Sequence, residues 1–268
     1  MELDRRLFIS SLGGAGAVAL MSHEARAEAL EHYMSDLLDE ADDEKPKFPA
    51  MADLEAQIET RPVRRGGGNI FSAGRGNVKK LPPMPAKPTL LDFFNLRFST
   101  VNHVLQSATD AMKKGQPEDI VCACLLHDVV QTLMKTDHGW WGAQMFEPYV
   151  SEKITFAIRY HQALRFYPDQ AAGYEYPDLY KRMFGEDYVP PPHIEAAYKF
   201  ARNHKWYNYP RMVTVHDLYA FDPNAKVSMD PFIDIIGRQF KQPKEGLGND
   251  NSAVAHFWRT MIAPDTPL

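Results

Sequence analysis

The run Leu125-Leu126-His127-Asp128-Val129-Val130-Gln131 sets an imidazole and a carboxylate side by side in a segment that is otherwise apolar. Burying such a pair is costly unless something compensates it. Three things could: a metal ion, a salt bridge, or a polar network without chemistry. The flanking residues read as helix. "PEDIVCACLLHDVVQTLMK" (117–135) opens on Pro117 with two acids in its first turn and closes on Lys135, the charge order that a helix dipole favours. Outward from it, "STVNHVLQSATDAMKKG" (99–115) has Ser99 as a cap and Gly115 as a stop. "VSEKITFAIRYHQALRFY" (150–167) starts at a Ser151 cap, "PPPHIEAAYKFARNHKW" (190–206) has a proline start, and "AVAHFWRTMI" (253–262) is the last helical stretch. Convincing strands are absent, so the pattern predicts an all-α helical bundle from Leu90 onward.

The remaining third is different. Asp4-Arg5-Arg6-Leu7-Phe8-Ile9-Ser10, a small-residue run and Ala25-Arg26-Ala27 occur in that order. They resemble a twin-arginine export signal over residues 1–27, which would engage the twin-arginine export machinery and deliver the protein to the periplasm. Residues 28–41 read as a short helix. From Asp42 to Thr89 the chain is rich in Pro, Gly and charge, which predicts an extended or flexible arm within residues 28–89, ahead of a helical domain over 90–268. No acid occurs from Arg61 to Leu91, whereas Arg61, Arg64, Arg65, Arg75, Lys79 and Lys80 do. The arm therefore reads as a docking arm for an acidic partner, as a solvated tail, or as an arm draped over its own acidic domain.

A net charge of −5 excludes nucleic acid or an anionic membrane as the main partner on global electrostatics, and no run is long and apolar enough for a stable membrane span. Hydrophobic content of 44% in 268 residues suffices for a large core. Cys122 and Cys124, two apart on a predicted helix, point to different faces and read as small buried hydrophobes rather than a disulfide.

Histidines carry the chemistry. Ile154, Ala157, Ile158, His161 and Leu164 share one helical stripe, so His161 points inward. A lone inward histidine is ordinarily a satisfied core residue. Here His103, His127, Asp128, His138, His161 and Asp222 make six ligand-type residues, most of them at buried-looking positions, and one shared metal site would compensate them together.

In order, His103 in "HVLQSA", His127-Asp128 in "LLHD" and Asp222 in "FDPNAK" resemble the H…HD…D signature of the HD-domain superfamily, over about residues 90–235. His138 in "HGWWGA" and His161 in "IRYHQALRFY" resemble the two extra histidines of its mixed-valent di-iron oxygenase branch, which contains myo-inositol oxygenase and the phosphonate-cleaving dioxygenases. The spacing of 61 positions from His161 to Asp222 suits the phosphonate enzymes better. The resemblance implies two iron ions, Fe2+ and Fe3+, with His103, His127 and Asp222 on one, His138 and His161 on the other, and Asp128 bridging. Four imidazoles and two carboxylates suit Fe, Mn, Co or Zn, so another divalent metal fits the same donors. Arg165, one turn after His161, stands where those enzymes have a phosphonate-contacting lysine, which implies a substrate-binding and catalytic role. Its bland reading is a surface arginine paired with an acid. Gln131 stands where HD proteins often carry a further histidine and is a candidate substrate contact.

Three functions follow. The first is an oxygenase that uses O2 to oxidise and cleave a small, anionic or hydroxylated substrate. The second is a metal-dependent HD phosphohydrolase, in which activated water attacks phosphorus. The third is a non-catalytic metal- or partner-binding exported protein.

Overall fold

A computed structural model describes residues 70–72 and 78–266, all within the unit Arg65–Leu268. The signal-like segment 1–27 and the expected helix 28–41 lie outside the described residues. Ten α-helices and one two-stranded sheet lie within them, in keeping with the predicted helical class. In chain order the elements are β1 (Ile70–Ser72), β2 (Val78–Lys80), α1 (Leu90–Leu96), α2 (Val101–Lys113), α3 (Glu118–Leu126), α4 (His138–Phe146) and α5 (Glu152–Leu164). They continue with α6 (Asp178–Phe184), α7 (Pro192–Arg202), α8 (Asn208–Asp217), α9 (Ile233–Gln239) and α10 (Ala255–Ile262).

Helix α3 begins as its sequence predicts, with Pro117 at φ −58° followed by Glu118 and Asp119, and every residue from Ile120 to Leu126 is buried. It does not run on to Lys135. His127 Nδ1 lies 2.8 Å from the Cys124 carbonyl, the acceptor that the Asp128 N–H would need to continue the helix. Asp128 turns to φ −104°, ψ 6° and opens a short 3-10 turn, Val129–Thr132. The His-Asp pair therefore sits at a break between two helical segments, not inside one.

Helix α2 is capped by Thr100 rather than Ser99, with no side-chain cap bond. Ser151 does cap α5, accepting from the Ile154 N–H. Helix α5 is the centre of the packing, touching α3, α4, α7 and α8, while α2 packs on α3 and α8. A second region of the core gathers around Trp258 of α10, whose ring lies 5.3 Å from Phe93 and 5.6 Å from Phe146. Cys122 and Cys124 are free thiols buried as small hydrophobes, and burial pushes the Cys124 thiol up to about 12.

The arm expected to be irregular is partly ordered. β1 and β2 pair antiparallel, Ile70 opposite Lys80, and the Ile70 N–H donates to Asp265 Oδ1. Downstream, the Pro88 carbonyl accepts from the Leu247 N–H, and Thr89 makes a reciprocal cap with Asp92 at the start of α1. The end of the arm is thus fastened to the C-terminal loop. No helix among the described residues is long and apolar enough to cross a membrane.

Candidate metal centre

Four histidines are brought to one place with their rings already oriented. His127 Nδ1 lies 2.8 Å from the Cys124 carbonyl, His138 Nδ1 3.0 Å from that of Lys135, and His161 Nδ1 2.7 Å from that of Ile158. His103, in the first turn of α2, has Nδ1 3.0 Å from the Ala220 carbonyl, across the fold. A carbonyl can only accept, so this network assigns the proton to Nδ1 in all four rings. Each Nε2 is then turned inward, the arrangement that orients metal-ligating histidines.

Two carboxylates meet those nitrogens. Asp128 Oδ1 lies 3.0 Å from His138 Nε2, 3.5 Å from His127 Nε2 and 3.7 Å from His161 Nε2, and its Oδ2 lies 3.3 Å from His103 Nε2. Asp217, the last residue of α8, sets Oδ1 3.0 Å from His103 Nε2 and 3.7 Å from His127 Nε2. His138 Nε2 and His161 Nε2 face each other at 3.2 Å. His127 Nε2, Asp128 Oδ1 and Asp217 Oδ1 are buried without a hydrogen-bond partner among the described residues, although these neighbours are close. An orphaned buried polar atom costs about 1–3 kcal/mol, and three converge here. Lone pairs that confront one another across 3.0–3.7 Å are what a cation would satisfy, so the donor set fits a bound metal. Two overlapping groups have ligand atoms all within 4.8 Å of one another: His103, His127 and Asp217, and His127, Asp128 and His161.

Electrostatics agree with that reading. Burial opposes charge on Asp128 and Asp217, yet the surrounding imidazoles, and Arg165 for Asp217, hold both carboxyls well below the usual range. Burial also opposes charge on His103, but the two carboxylates outweigh it and carry its pKa up to about 10. His161, fully enclosed, is pushed by burial down to about 4. The protein thus supplies two ionised carboxylates and a neutral His161 imidazole to the site.

The structure brings His103, His127, Asp128, His138 and His161 together and leaves Asp222 out. Asp222 is exposed, and its Oδ1 accepts from the Asn224 N–H in a local turn, while its backbone exchanges two hydrogen bonds with the Gln106 side chain. Asp217 takes the carboxylate position instead. Its signal is present in the sequence: Pro210, Val213, Thr214 and Asp217 form one inward stripe of α8 at helical spacing. Asp-Pro-Asn at 222–224 is turn chemistry.

Arg165 caps α5 and donates from Nη2 to Asp217 Oδ2 at 3.0 Å. Burial opposes its charge, but Asp217 reverses the effect and raises its pKa. Its guanidinium lies 5.1 Å from the Tyr180 ring centroid, and its Nε has no partner among the described residues. Arg165 is thus neither a surface residue nor wholly free. Its backbone is gripped as well: the Tyr174 hydroxyl donates to its carbonyl, and the buried Arg211 donates to the Leu164 and Tyr167 carbonyls on either side. Gln131 is half-buried in the 3-10 turn, its backbone N–H donating to the Asp128 carbonyl, so it sits beside the centre without being one of its donors. The open edge runs past His103 and Arg165, whose side chains are 15% and 14% exposed, under the Phe221 ring 4.9 Å from that of His103.

No family model matches the chain. It is 36% identical over 76 residues to the [1-hydroxy-2-(trimethylamino)ethyl]phosphonate dioxygenase (glycine-betaine-forming) of Leisingera caerulea. That match takes in 24% of this chain and 39% of that enzyme. The chain is therefore similar in sequence to a phosphonate dioxygenase over about a quarter of its own length, and the match spans about two-fifths of that enzyme.

Proposed function

We propose that this chain is a non-haem di-iron oxygenase of the HD type, acting with O2 on a small anionic substrate such as a hydroxylated phosphonate. The observation that carries the proposal is the second nest of donors. His103, His127, Asp128 and Asp217 would suffice for one metal; His138 and His161, 3.2 Å apart beside Asp128 Oδ1, supply a second position. In this reading His103, His127 and Asp217 would hold one iron and His138 and His161 the other, with Asp128 within reach of both groups. Such a pair supplies one-electron chemistry toward O2 and a hydrogen-bearing carbon. The chain's own residues do the rest. The four Nδ1 hydrogen bonds hold the rings so that loading needs no reorientation. Arg165 holds Asp217 in place through Nη2 and sets a positive charge at the open edge, where a substrate anion would approach. Tyr180 packs on the Arg165 guanidinium and Phe221 on the His103 ring at the edge of the site.

The complete H…HD…D set also favours a second reading, a one-metal phosphohydrolase, and one variant separates the two. His161→Ala removes a donor from the second position only. The oxygenase reading expects loss of one metal per chain and of oxygen uptake with hydroxyphosphonates or polyols. Losses around a metal cost at least about tenfold in affinity even one layer further out. If the variant keeps one metal and hydrolyses phosphoesters near the parent rate, the oxygenase reading is wrong.

The proposal includes export by the twin-arginine route, supported by the order of elements in residues 1–27. Arg5→Lys with Arg6→Lys is expected to leave the precursor in the cytoplasm. Unchanged mature protein in the periplasm would refute export by this route.

A further inference from the structure

The described residues of the basic arm give the metal centre no donor, yet they wall a cavity of their own. A pocket of about 480 Å³ lies between the β1–β2 hairpin, the end of α1, the 3-10 turn after Asp128, and α10. Its volume is that of a small-molecule site. Phe71, Phe93, Phe98, Leu133 and Met261 make most of its walls apolar. None of its lining residues is acidic, but two are cationic, Arg97 and Lys79.

Arg97 is built into the wall. Its Nε donates to the Ile262 carbonyl at 2.9 Å, and its Nη1 to the carbonyls of Pro82 and Leu96 at 2.8 and 2.9 Å. Three carbonyls fix the plane of the guanidinium and neutralise none of its charge. Nη2 is buried and has no hydrogen-bond partner among the described residues. Burial draws the pKa of this guanidinium below its ordinary value, the mark of a cation that lacks a counter-charge. A carboxylate in the cavity beside Arg97 and Lys79 would supply that counter-charge, and the aromatic and aliphatic walls would take an apolar tail.

We propose that this cavity is a binding site for an amphipathic monocarboxylate, its head group at the end lined by Arg97 and Lys79 and its hydrocarbon tail between the hairpin and α10. This site is separate from the metal centre and does not depend on the oxygenase reading. It also gives the arm a definite role, since Phe71, Lys79 and Pro82 close a wall that the helical bundle leaves open.

The proposal is tested by calorimetric titration of the full chain with octanoate, and with octylamine and 1-octanol as controls of the same length. Octanoate is expected to bind once per chain with a Kd below about 1 mM, and octylamine not at all. Arg97→Gln removes the charge and Leu133→Trp fills the cavity from a side chain that is 43% exposed; each is expected to weaken octanoate at least tenfold. His138→Ala, in the metal centre, is expected to leave it unchanged. Should Arg97→Gln fail to fold, Leu133→Trp and the head-group series still decide. Equal binding of octanol and octanoate, parent-like binding by Leu133→Trp, loss of binding in His138→Ala, or no binding to about 10-fold above that limit would each overturn the assignment. So would association with phosphatidylglycerol vesicles in the absence of octanoate binding, which would make the patch a lipid-surface contact.

Discussion

Asp217 and Asp222 are near neighbours with opposite fates, and the difference lies in what their backbones do. Asp217 ends a helix whose inward stripe delivers its carboxylate to two imidazoles; Asp222 spends its carboxylate on its own turn. Asp217→Asn keeps the shape and removes the charge. It is expected to lower metal affinity at least about tenfold, whereas Asp222→Asn should stay close to the parent; metal content after dialysis against a chelator checks both. If Asp222→Asn loses metal and Asp217→Asn does not, the ligand set is wrong. The other five donor residues are legible in the sequence because each lies in a motif or on a periodic face. The sixth is not, because spacing alone favours any aspartate at the right distance downstream, and only the phase of α8 distinguishes the two. Arg165 is legible as a cation on the same face as His161, but its pairing with Asp217 is not, since the partner comes from a helix more than 40 residues further along whose packing the pattern leaves open.

At the scale of elements, the centre depends on how closely α4 approaches α5. A Cβ added at Gly139 would lie 2.8 Å from the Ile158 carbonyl oxygen and 3.1 Å from the His161 ring. That carbonyl is the one holding His161 Nδ1. Gly139→Ala is therefore expected to destabilise the fold by about 1–3 kcal/mol and to weaken metal binding with it. Gly237, inside α9 and with nothing within 4 Å of its added Cβ, is the control: Gly237→Ala should stabilise by about 0.5–1 kcal/mol. Chemical denaturation of both variants checks the sign difference. Arg211 is a second joint between elements, tying α8 to the end of α5 through the Leu164 and Tyr167 carbonyls, with Nε donating to the Tyr207 hydroxyl. The helices flanked by proline, serine and acidic signals are readable from the residues. The break after Leu126 is not, because Asp128 leaves the helical conformation within a run whose residue propensities favour a continuous helix.

Over the whole described body, the arm and the C-terminal loop are fastened to each other. Gly246 sits at φ 92°, and a Cβ there would lie 2.6 Å from Lys87 backbone atoms and from Pro88. Gly246→Ala is expected to cost at least about 2 kcal/mol, from backbone strain and from dislodging the arm; a drop in melting temperature together with new protease cutting near residues 81–89 would report it. Unchanged melting and cutting would show that the arm is not fastened there. The ordering of the arm is not legible in the sequence, because its contacts are backbone groups meeting residues more than 150 positions away. The four imidazole anchors carry a further consequence, for timing. Three of them are closed within a single turn by the carbonyl three residues earlier, and can be set as soon as that turn exists. The fourth, on His103, waits for Ala220 to arrive from a distant part of the chain. His103 is also the ring at the solvent edge. Metal exchange should therefore follow the local breathing of the 218–221 turn rather than global unfolding, with a chelator stripping the centre on a timescale that mutations in that turn shorten and mutations in the core do not.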